Sequence, residues 1–369
     1  MMTIEGTCST AICYGPTIRE EAVSIIREIC SHEFARGRRI RIMPDVHPSG
    51  RLTVTGFTMT LEEPVVLALE YPAGCGVRCS MLEDTGSIDF HLLDEVCHLF
   101  PASGGESLLV PAYDYDFSAL RCYGSVRDHY LWPTSLGILG GGNHFIELDR
   151  DEDGHLYLVV HNGLGALGVP VLSYYLDKVL SGKRKSVTLE DTFLYGKDMD
   201  DYLHDMEIIT DVCRVNRRYI SDRIISEMGW KVRDAFDSCH HHTDRTDGII
   251  RHGAVPAHKG QRVIIPVNAM EGTILGVGKG NPEWNYSAPH GGGRILSRRE
   301  AREKLSLDEY RSSMQGVYTT TVSGLNIDEA PAVYKSMDEI ARAVSETVEI
   351  RSILRPLYNY KGAWGLTAD

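Results

Sequence analysis

Residues 143–162, NHFIELDRDEDGHLYLVVHN, predict a β-hairpin. The runs 145–148 and 156–160 are rich in aliphatic and aromatic residues, which favour strands. The acidic, glycine-containing stretch 151–154 between them is typical of a turn. The segment therefore predicts two neighbouring antiparallel strands.

The hairpin has a histidine near each end. If residues 151–154 form the loop, His144 faces His161 directly, with the two Cβ atoms a few ångströms apart. A shift of one residue would place the two side chains on opposite faces of the sheet. The pairing predicts a site that both imidazoles share.

Helices and strands are mixed along the rest of the chain without strict alternation, which favours an α+β fold in a single domain, residues 1–369. Thr17 followed by Glu20 predicts a capping box and a helix to about Ser31. Apolar periodicity predicts a long helix over residues 199–225 and an amphipathic helix over residues 336–353. Further strands are predicted at residues 39–43, 52–59, 65–71, 262–266 and 316–322.

The composition is that of an ordinary globular protein, with 43% hydrophobic and 24% charged residues among 369. No apolar run is long enough for a membrane span, and the N-terminus lacks the features of a signal peptide. Nine cysteines without regular spacing argue against a disulfide framework, so we expect a cytoplasmic protein without a membrane partner. The net charge of -13 argues against a general nucleic-acid coat but allows a site where metal ions supply positive charge.

Four turn-rich stretches carry residue types that bind metal ions. They are MPDVH with Asp45 and His47, AGCGVRC with Cys75 and Cys79, GGGNHFIE with His144 and Glu147, and SCHHH from Cys239 to His242. A thiolate with several imidazoles suits zinc, iron or another first-row divalent ion, assembled here from distant parts of the chain. Cys75 could instead be a nucleophile with a histidine base, as in thiol hydrolases.

Glycines accompany polar side chains in GGGNH, GVGKGN and PHGGGR. Such loops let backbone N–H groups approach phosphate, although none of the three matches a P-loop or a dinucleotide fingerprint. Tight turns would explain the glycines equally well. His290 in SAPHGGGR, residues 287–294, is thus either a loop residue or a reactive group.

Together, these motifs resemble those of the RtcB-type RNA ligases, which join RNA ends using GTP and manganese. The segments PDVH, CGVR, GGNHFIE, CHH, PHGGGRILSR and DEAP with YK recur in the family's order from Pro44 to Gly362. The combination of GGGNHFIEL with PHGGGRILSR is the most specific part. The long predicted helix, with Asp205-Met206 and Asn216-Arg217, is also similar to one in the family.

The resemblance implies a role for each matching residue. The implied metal ligands are Cys75, His144, His161 and His241, with the thiolate bridging two ions. The implied nucleotide contacts are Asn143, Glu147, Gly291, Gly292, Tyr334 and Lys361. His290 would become covalently guanylylated, and Asp45 would orient it.

The resemblance also implies the setting of the reaction: mixed sheets around a central cleft that holds GTP and one or two Mn²⁺ ions. The substrates would be RNA 3′-phosphate or 2′,3′-cyclic phosphate ends and 5′-hydroxyl ends. The residue types alone point to zinc at a Cys/His site, so manganese comes from the resemblance. Whether an activating or repair partner is needed stays open.

Several motifs depart from the family's pattern. Pro72 stands where the family has the aspartate of D-x-x-C-G, so a second metal would bind more weakly or use another ligand. Residues 161–166, HNGLGA, replace HSGSRG, His242 replaces an asparagine, and residues 267–272, VNAMEG, replace the nucleotide loop GSMG with an insertion. These changes predict a divergent, shorter paralogue that serves RNA repair rather than routine tRNA splicing.

Two alternatives belong to other functional classes. One is a protein that binds GTP or RNA ends without turnover, and the other is a metal-dependent phosphodiesterase that opens cyclic phosphates without sealing ends. A covalent GMP adduct would exclude the first, and the products from a cyclic-phosphate RNA would distinguish the second.

Overall fold

Helices and strands are mixed along the chain in the computed structural model, which describes residues 1–70, 73–83, 85–102, 115–127, 129–183 and 185–362. The α-helices in these ranges are α1 (Glu20–Ser31), α2 (Phe90–Cys97), α3 (Gly165–Leu180), α4 (Gly196–Glu227), α5 (Arg298–Lys304), α6 (Leu307–Ser313) and α7 (Met337–Ala343). The strands are β1 (Met2–Glu5), β2 (Thr10–Cys13), β3 (Ile40–Pro48), β4 (Val54–Thr60), β5 (Val65–Val66), β6 (Gly76–Leu82), β7 (Phe145–Arg150), β8 (Leu156–Asn162), β9 (Phe193–Leu194), β10 (Val232–Cys239), β11 (His241–Asp244), β12 (Ile249–His252), β13 (Ala254–Pro256), β14 (Arg262–Asn268), β15 (Gly272–Gly278), β16 (Ser287–Pro289) and β17 (Val348–Lys361). This combination confirms the predicted α+β class.

Two large sheets form most of the fold. One has the strand order β1-β2-β3-β4-β12-β11, and the other has the order β10-β6-β8-β7-β17-β15-β14. Only β2 and β3 are parallel among the strand pairs of the described residues. The edge strands of the second sheet approach each other, and Arg262 of β14 donates to the carbonyl of Ala235 on β10 at 3.1 Å. The second sheet is therefore strongly curled.

The predicted hairpin forms as β7 and β8, but its register is shifted by one residue. Phe145, rather than His144, lies opposite His161. The loop covers residues 151–155 because the Asp151 N–H donates to the His155 carbonyl at 3.0 Å, while the Asp151 carboxylate accepts from the His155 N–H at 2.8 Å. These bonds keep His155 in the turn, so the predicted direct pairing of the two histidines was wrong.

Helix α1 forms without the predicted capping box. Its N-cap residue is Arg19, whose side chain makes no capping hydrogen bond. A capping box needs its serine or threonine directly before the first helical residue, and Thr17 lies further upstream. The Thr17 carbonyl instead accepts from Lys335 Nζ at 2.8 Å. Glu20 and Glu21 in the first turn favour the helix through its dipole.

Helix α4 confirms the long predicted helix and extends it at both ends to 32 residues. It packs against β6 and β8. The apolar residues predicted to share its buried face are all buried: Tyr202, Met206, Ile209, Cys213 and Ile220. Burial of each of the aliphatic and methionine side chains in this set stabilises the fold by roughly 1.5–3 kcal/mol. Neither α4 nor any other helix in the described ranges is long and apolar enough to cross a membrane.

The predicted C-terminal helix is correct only over its first part. Helix α7 is followed by a 3-10 turn, Val344–Glu346, and then by the 14-residue strand β17. Valine, isoleucine and tyrosine in this segment favour a strand. Backbone pairing with β15 on one side and β7 on the other adds long-range hydrogen bonds that helical periodicity cannot reveal.

Three predicted strands form at nearly the expected places, as β3, β4 and β14. Strand β3 is longer than predicted and includes Asp45 and His47. The run 65–71 forms only β5, because the Glu70 N–H donates to the Leu67 carbonyl in a 3-10 turn. Tyr71 lies outside the described residues.

The predicted strand over residues 316–322 does not form. Tyr318 makes only an isolated bridge with Tyr358. The Thr320 hydroxyl donates to the Asp94 carboxylate at 2.9 Å, and the Thr321 carbonyl accepts from an asparagine side chain. Side-chain hydrogen bonds of this kind compete with a regular strand ladder.

Candidate active site

A cavity of about 1080 Å³ lies between the two large sheets. The predicted site residues that line it are Cys75, Asn143, His144, Glu147, His161, His241, His290, Gly291, Gly292, Tyr334 and Lys361. Asp45 is fully buried behind His290. The fold thus brings together residues that are separated by long stretches of sequence.

A thiol and two imidazoles form a cluster on one wall of the cavity. Cys75 Sγ lies 3.5 Å from His144 Nε2 and 3.4 Å from His161 Nε2. Cys75 directly precedes β6, which pairs with β8, where His161 lies. The His161 Nδ1–H donates to the Asn143 carbonyl at 3.0 Å, so its Nε2 lone pair is directed to the thiol.

Gly140 explains how His144 reaches this cluster although the hairpin register is shifted. Gly140 has a φ of +85°, and a Cβ at this position would lie 2.4 Å from His144 Nδ1. A larger residue would be strained and would also push the imidazole away. His144 lies just before β7, where the chain is free to direct the ring toward Cys75.

Burial keeps the cluster uncharged. Desolvation lowers the pKa of His144 to about 4 and lowers the pKa of His161 well below its usual range. Desolvation also raises the pKa of the Cys75 thiol. The imidazoles are therefore in the neutral form that binds metals, whereas the thiol would release a proton when a metal binds.

The spacing of these three groups suits one divalent ion. Nitrogen and sulfur ligands about 2.0–2.3 Å from a shared ion lie roughly 3–3.7 Å from one another. The two separations from Cys75 Sγ fall within that range. The three side chains thus fit a metal site by both chemistry and geometry.

His240, the neighbour of the predicted ligand His241, also lies next to this cluster. Its Nε2 lies 3.3 Å from His161 Nε2, and its ring centroid lies 4.8 Å from that of His290. His241 lines the cavity, and its Nδ1 accepts from the Gly253 N–H at 3.1 Å. The sequence places both histidines in the CHHH segment, but only the fold shows which ring faces His161.

His290 and Asp45 form a hydrogen-bonded pair at the end of β16. The His290 Nδ1–H and backbone N–H both donate to Asp45 Oδ2, at 2.5 and 3.1 Å. The Asp45 side chain is 0% exposed, whereas that of His290 is 14% exposed. A proton on Nδ1 leaves the Nε2 lone pair available at the cavity wall. This arrangement orients a histidine as a nucleophile.

The glycines after His290 let the loop pack closely against Asp45 on β3. Gly293 has a φ of +67°, and a Cβ at this position would lie 2.3 Å from the Asp45 carbonyl oxygen. Only glycine lets the loop lie this close to β3. The tight turn at Gly293 therefore also keeps His290 next to Asp45.

A buried carboxylate outside the predicted set of site residues, Glu329, joins four side chains of the cavity lining. It accepts from Arg298 at 2.7 Å, Lys361 at 3.1 Å, Arg294 at 3.3 Å and the Tyr334 hydroxyl at 2.5 Å. Burial would raise the pKa of Glu329, but the three cations lower it below its usual range. One anion thus holds both Tyr334 and Lys361 in place. The DEAP segment contains Glu329, but no local spacing predicts its partners.

Glu147 faces the cavity from β7, and Asn143 is exposed at the loop before it. Asn359 Nδ2 donates to Glu147 Oε1 at 2.7 Å. Desolvation raises the pKa values of Glu147 and of the neighbouring buried Asp149 above their usual ranges. The raised pKa favours the protonated form of Glu147, which is able to donate as well as accept a hydrogen bond.

The model of the family described as tRNA-splicing ligase RtcB matches residues 124–362, more than half of the chain. The chain belongs to the RtcB family. RNA-splicing ligase RtcB from Escherichia coli K12 is 29% identical over 380 residues, covering 88% of this chain and 90% of that protein. tRNA-splicing ligase RtcB from Archaeoglobus fulgidus is 26% identical over 419 residues, covering 87% of each chain. The family resemblance carried by the motifs is confirmed.

Some departures from the RtcB motifs lie at the cavity. Leu164 and Gly165, which stand at the second serine and the arginine of HSGSRG, line it. This wall is therefore apolar where the motif has serine and arginine. Pro72 lies outside the described residues.

The buried histidines predict a metal-free protein that loses stability in mild acid. Burial lowers the pKa of His47, His144, His161, His240, His241, His242 and His252. In the unfolded chain these groups titrate near pH 6.5, so unfolding takes up protons as the pH falls from about 7 toward 4. Each contributes roughly 1–2 kcal/mol of lost stability by pH 5.

Three buried carboxyl groups act in the opposite direction, because burial raises the pKa values of Glu70, Glu147 and Asp149. Their contribution to stability decreases as the pH rises, but the histidines outnumber them. Urea unfolding of the metal-free protein at pH 7, 6 and 5 is expected to give a steadily smaller free energy of unfolding. A constant or rising free energy over this range would show that the histidines are not buried as neutral groups.

Proposed function

We propose that this chain is an RNA ligase in which residues 1–369 act as one domain. It would use GTP to join RNA 3′-phosphate or 2′,3′-cyclic phosphate ends to 5′-hydroxyl ends through a guanylylated His290. The observation that carries this proposal is the His290–Asp45 pair in the same cavity as the Cys75 cluster. The names of the relatives, which are RNA-splicing and tRNA-splicing ligases, support it.

The proposed metal ligands are Cys75, His144, His161 and His241, which would hold one or two Mn²⁺ ions. A bound ion would supply positive charge that neutralises phosphate groups and stabilises the transition state. The chain's own contribution includes the neutral imidazoles of His144 and His161, which need no deprotonation before binding. The overall negative charge of the chain makes such local positive charge necessary for binding triphosphate and RNA.

The proposed nucleotide contacts are Asn143, Glu147, Gly291, Gly292, Tyr334 and Lys361. Glu147, whose pKa is raised by burial, would form hydrogen bonds with the polar edge of a purine. Lys361 is 6% exposed and is held by Glu329, which would present its charge in a fixed position. The glycines would allow backbone N–H groups to approach a phosphate.

In the first proposed step, His290 Nε2 attacks the α-phosphorus of GTP. A nitrogen–phosphorus bond forms, the bond from that phosphorus to the bridging oxygen breaks, and pyrophosphate leaves. His290 keeps its Nδ1 proton, so the ring becomes cationic. The buried carboxylate of Asp45, which accepts that proton in a hydrogen bond, stabilises the positive charge.

In the second proposed step, an oxygen of the RNA 3′-phosphate attacks the phosphorus on His290, and the nitrogen–phosphorus bond breaks. His290 returns to its neutral form. The 5′-hydroxyl then attacks the 3′-phosphorus, loses its proton and displaces GMP. A 2′,3′-cyclic phosphate would first be opened by water to a 3′-phosphate.

We further propose that this reaction serves RNA repair in the cytoplasm. All nine cysteines of the chain are unpaired, which is usual for proteins of a reducing compartment. Leu164 and Gly165 line the cavity without the hydroxyl and guanidinium groups of the RtcB motif, and this difference supports a specialised substrate.

A ligation assay tests the proposal and separates it from the two alternatives. The protein is incubated with Mn²⁺, GTP and two RNA fragments, one ending in a 2′,3′-cyclic phosphate and the other beginning with a 5′-hydroxyl. We expect a joined product that requires GTP. Conversion of the cyclic end to a 3′-phosphate without joining would instead indicate a phosphodiesterase. Nucleotide binding with unchanged RNA would indicate a binding protein.

A further inference from the structure

The segments that carry Cys75, His144 and His161 (the Cys75 cluster) all form hydrogen bonds with one turn of helix α4. Arg217 Nη1 donates to the Gly74 carbonyl at 2.6 Å and to the Asn162 carbonyl at 2.8 Å. Gly74 directly precedes Cys75, and Asn162 directly follows His161. One guanidinium group therefore fixes the backbone next to two members of the cluster.

Asn216, the neighbouring residue on α4, fixes the segment that leads to His144. Its Oδ1 accepts from the Gly137 N–H at 2.6 Å, and its Nδ2 donates to the Ile138 carbonyl at 3.0 Å. The same Nδ2 donates to Asn162 Oδ1 at 2.8 Å, and Asn162 Nδ2 also donates to the Ile138 carbonyl. The loop before His144 and the end of β8 are thus tied to the same asparagine.

The guanidinium group of Arg217 is itself held rigidly. Its Nε and Nη2 donate to the two carboxylate oxygens of Asp237 on β10, at 2.9 and 2.6 Å. Arg217 is fully buried, and the Asp237 side chain is 7% exposed. Such a two-point ion pair fixes the plane of the guanidinium group. A buried ion pair is costly to desolvate, and apolar residues of similar size can often replace one without loss of stability. The need to fill the space between α4 and β10 therefore does not explain why Arg217 and Asp237 are present.

We propose that Asn216 and Arg217 are positioning residues that set the spacing of Cys75, His144 and His161 for a metal ion. This inference rests on the metal site of the proposed function. Groups that orient metal ligands without touching the ion typically change metal affinity by about 10–100-fold when they are altered.

The experiment measures Co²⁺ binding by the full-length metal-free protein, followed through the absorption band of a cobalt–thiolate bond. The variants are Arg217→Lys, which keeps the charge but loses the planar fork, and Asn216→Ala. Asp205→Asn is the matched control on the same helix. Asp205 is fully buried and accepts from the Arg121 N–H at 2.7 Å and the Tyr175 hydroxyl at 2.7 Å. Within the described residues, none of its hydrogen bonds reaches the segments that carry Cys75, His144 and His161.

We expect Arg217→Lys and Asn216→Ala to weaken Co²⁺ binding by about 10–100-fold, and Asp205→Asn to change it by less than about twofold. Urea unfolding of each metal-free variant shows whether it is folded under the assay conditions. If Arg217→Lys does not fold, Asn216→Ala carries the test.

Wild-type affinity in the folded Arg217 and Asn216 variants would overturn the inference. Equal weakening by Asp205→Asn would also overturn it, because the effect would then reflect general destabilisation. Failure of the wild-type protein to bind Co²⁺ at all would instead remove the proposed metal site, and with it the proposed function. The two failures are therefore distinguishable.

Discussion

Asp45→Asn is expected to slow the guanylylation of His290 by about 10³–10⁴-fold, by analogy with an aspartate that orients a catalytic histidine in other enzymes. The substitution keeps the size of the side chain and removes its charge. The neutral amide would no longer stabilise the cationic imidazole that forms when Nε2 bonds to phosphorus. If the amide nitrogen faces His290, Nδ1 must also give up its proton, and Nε2 then carries it and cannot attack.

The rate is measured in a single turnover with labelled GTP and Mn²⁺, and GTP affinity is measured in parallel. We expect the affinity to change by only a few-fold, because Asp45 lies behind His290 with no exposed surface. Asp94→Asn is the matched control. Asp94 is also buried, accepts from the Tyr358 hydroxyl at 3.0 Å and does not line the cavity. Wild-type adduct formation in Asp45→Asn would contradict the orienting role.

The second large effect is expected for Cys75→Ala. Cys75 Sγ is the atom that both His144 Nε2 and His161 Nε2 approach, so its removal leaves two neutral imidazoles without an anionic partner. We expect metal affinity to fall by at least about 100-fold, since loss of a direct ligand should exceed the typical effect of an outer group. Ligation at a fixed metal concentration should fall with it.

Cys79→Ala is a close control for this experiment, because it removes the same atom type from the same strand region. The Cys79 thiol is 2% exposed and packs among apolar residues that include Val77 and Val159. Its loss is expected to cost about 1–2 kcal/mol of stability through a small cavity without altering metal affinity. Calorimetric titration with Mn²⁺ compares the two variants. Equal affinities in both would rule out Cys75 as a ligand.

The amphipathic helix α4 and the hairpin were predictable because their patterns are local. The apolar face of α4 repeats with the helical period, and the strands of the hairpin flank a turn-forming sequence. The register was not predictable, since the hydrogen bonds from Asp151 that enlarge the turn depend on side-chain geometry. The same limit applies to β17, whose helical periodicity is overridden by pairing with β7 and β15.

The members of the candidate site were recognisable because they lie in short motifs, but their partners were not. Glu329 binds Arg294 and Lys361, which lie on either side of it in the chain, and nothing in the local sequence indicates that these side chains meet. Arg217 likewise reaches Gly74 and Asn162 only because α4 packs across β6 and β8. Such contacts follow from tertiary packing, which the sequence does not display directly.

Detection of a covalent GMP adduct on His290 is the most direct test of the proposed ligase reaction. The protein is mixed with Mn²⁺ and GTP labelled at the α-phosphate. Separate portions of the product are treated with acid and with base, and an untreated portion is mapped by mass spectrometry of its peptides. We predict one GMP per chain, labile to acid, on the peptide that contains residues 287–294, and no adduct in His290→Ala. An adduct that persists in His290→Ala, or no adduct in the folded, metal-loaded wild-type protein, would contradict guanylylation of His290.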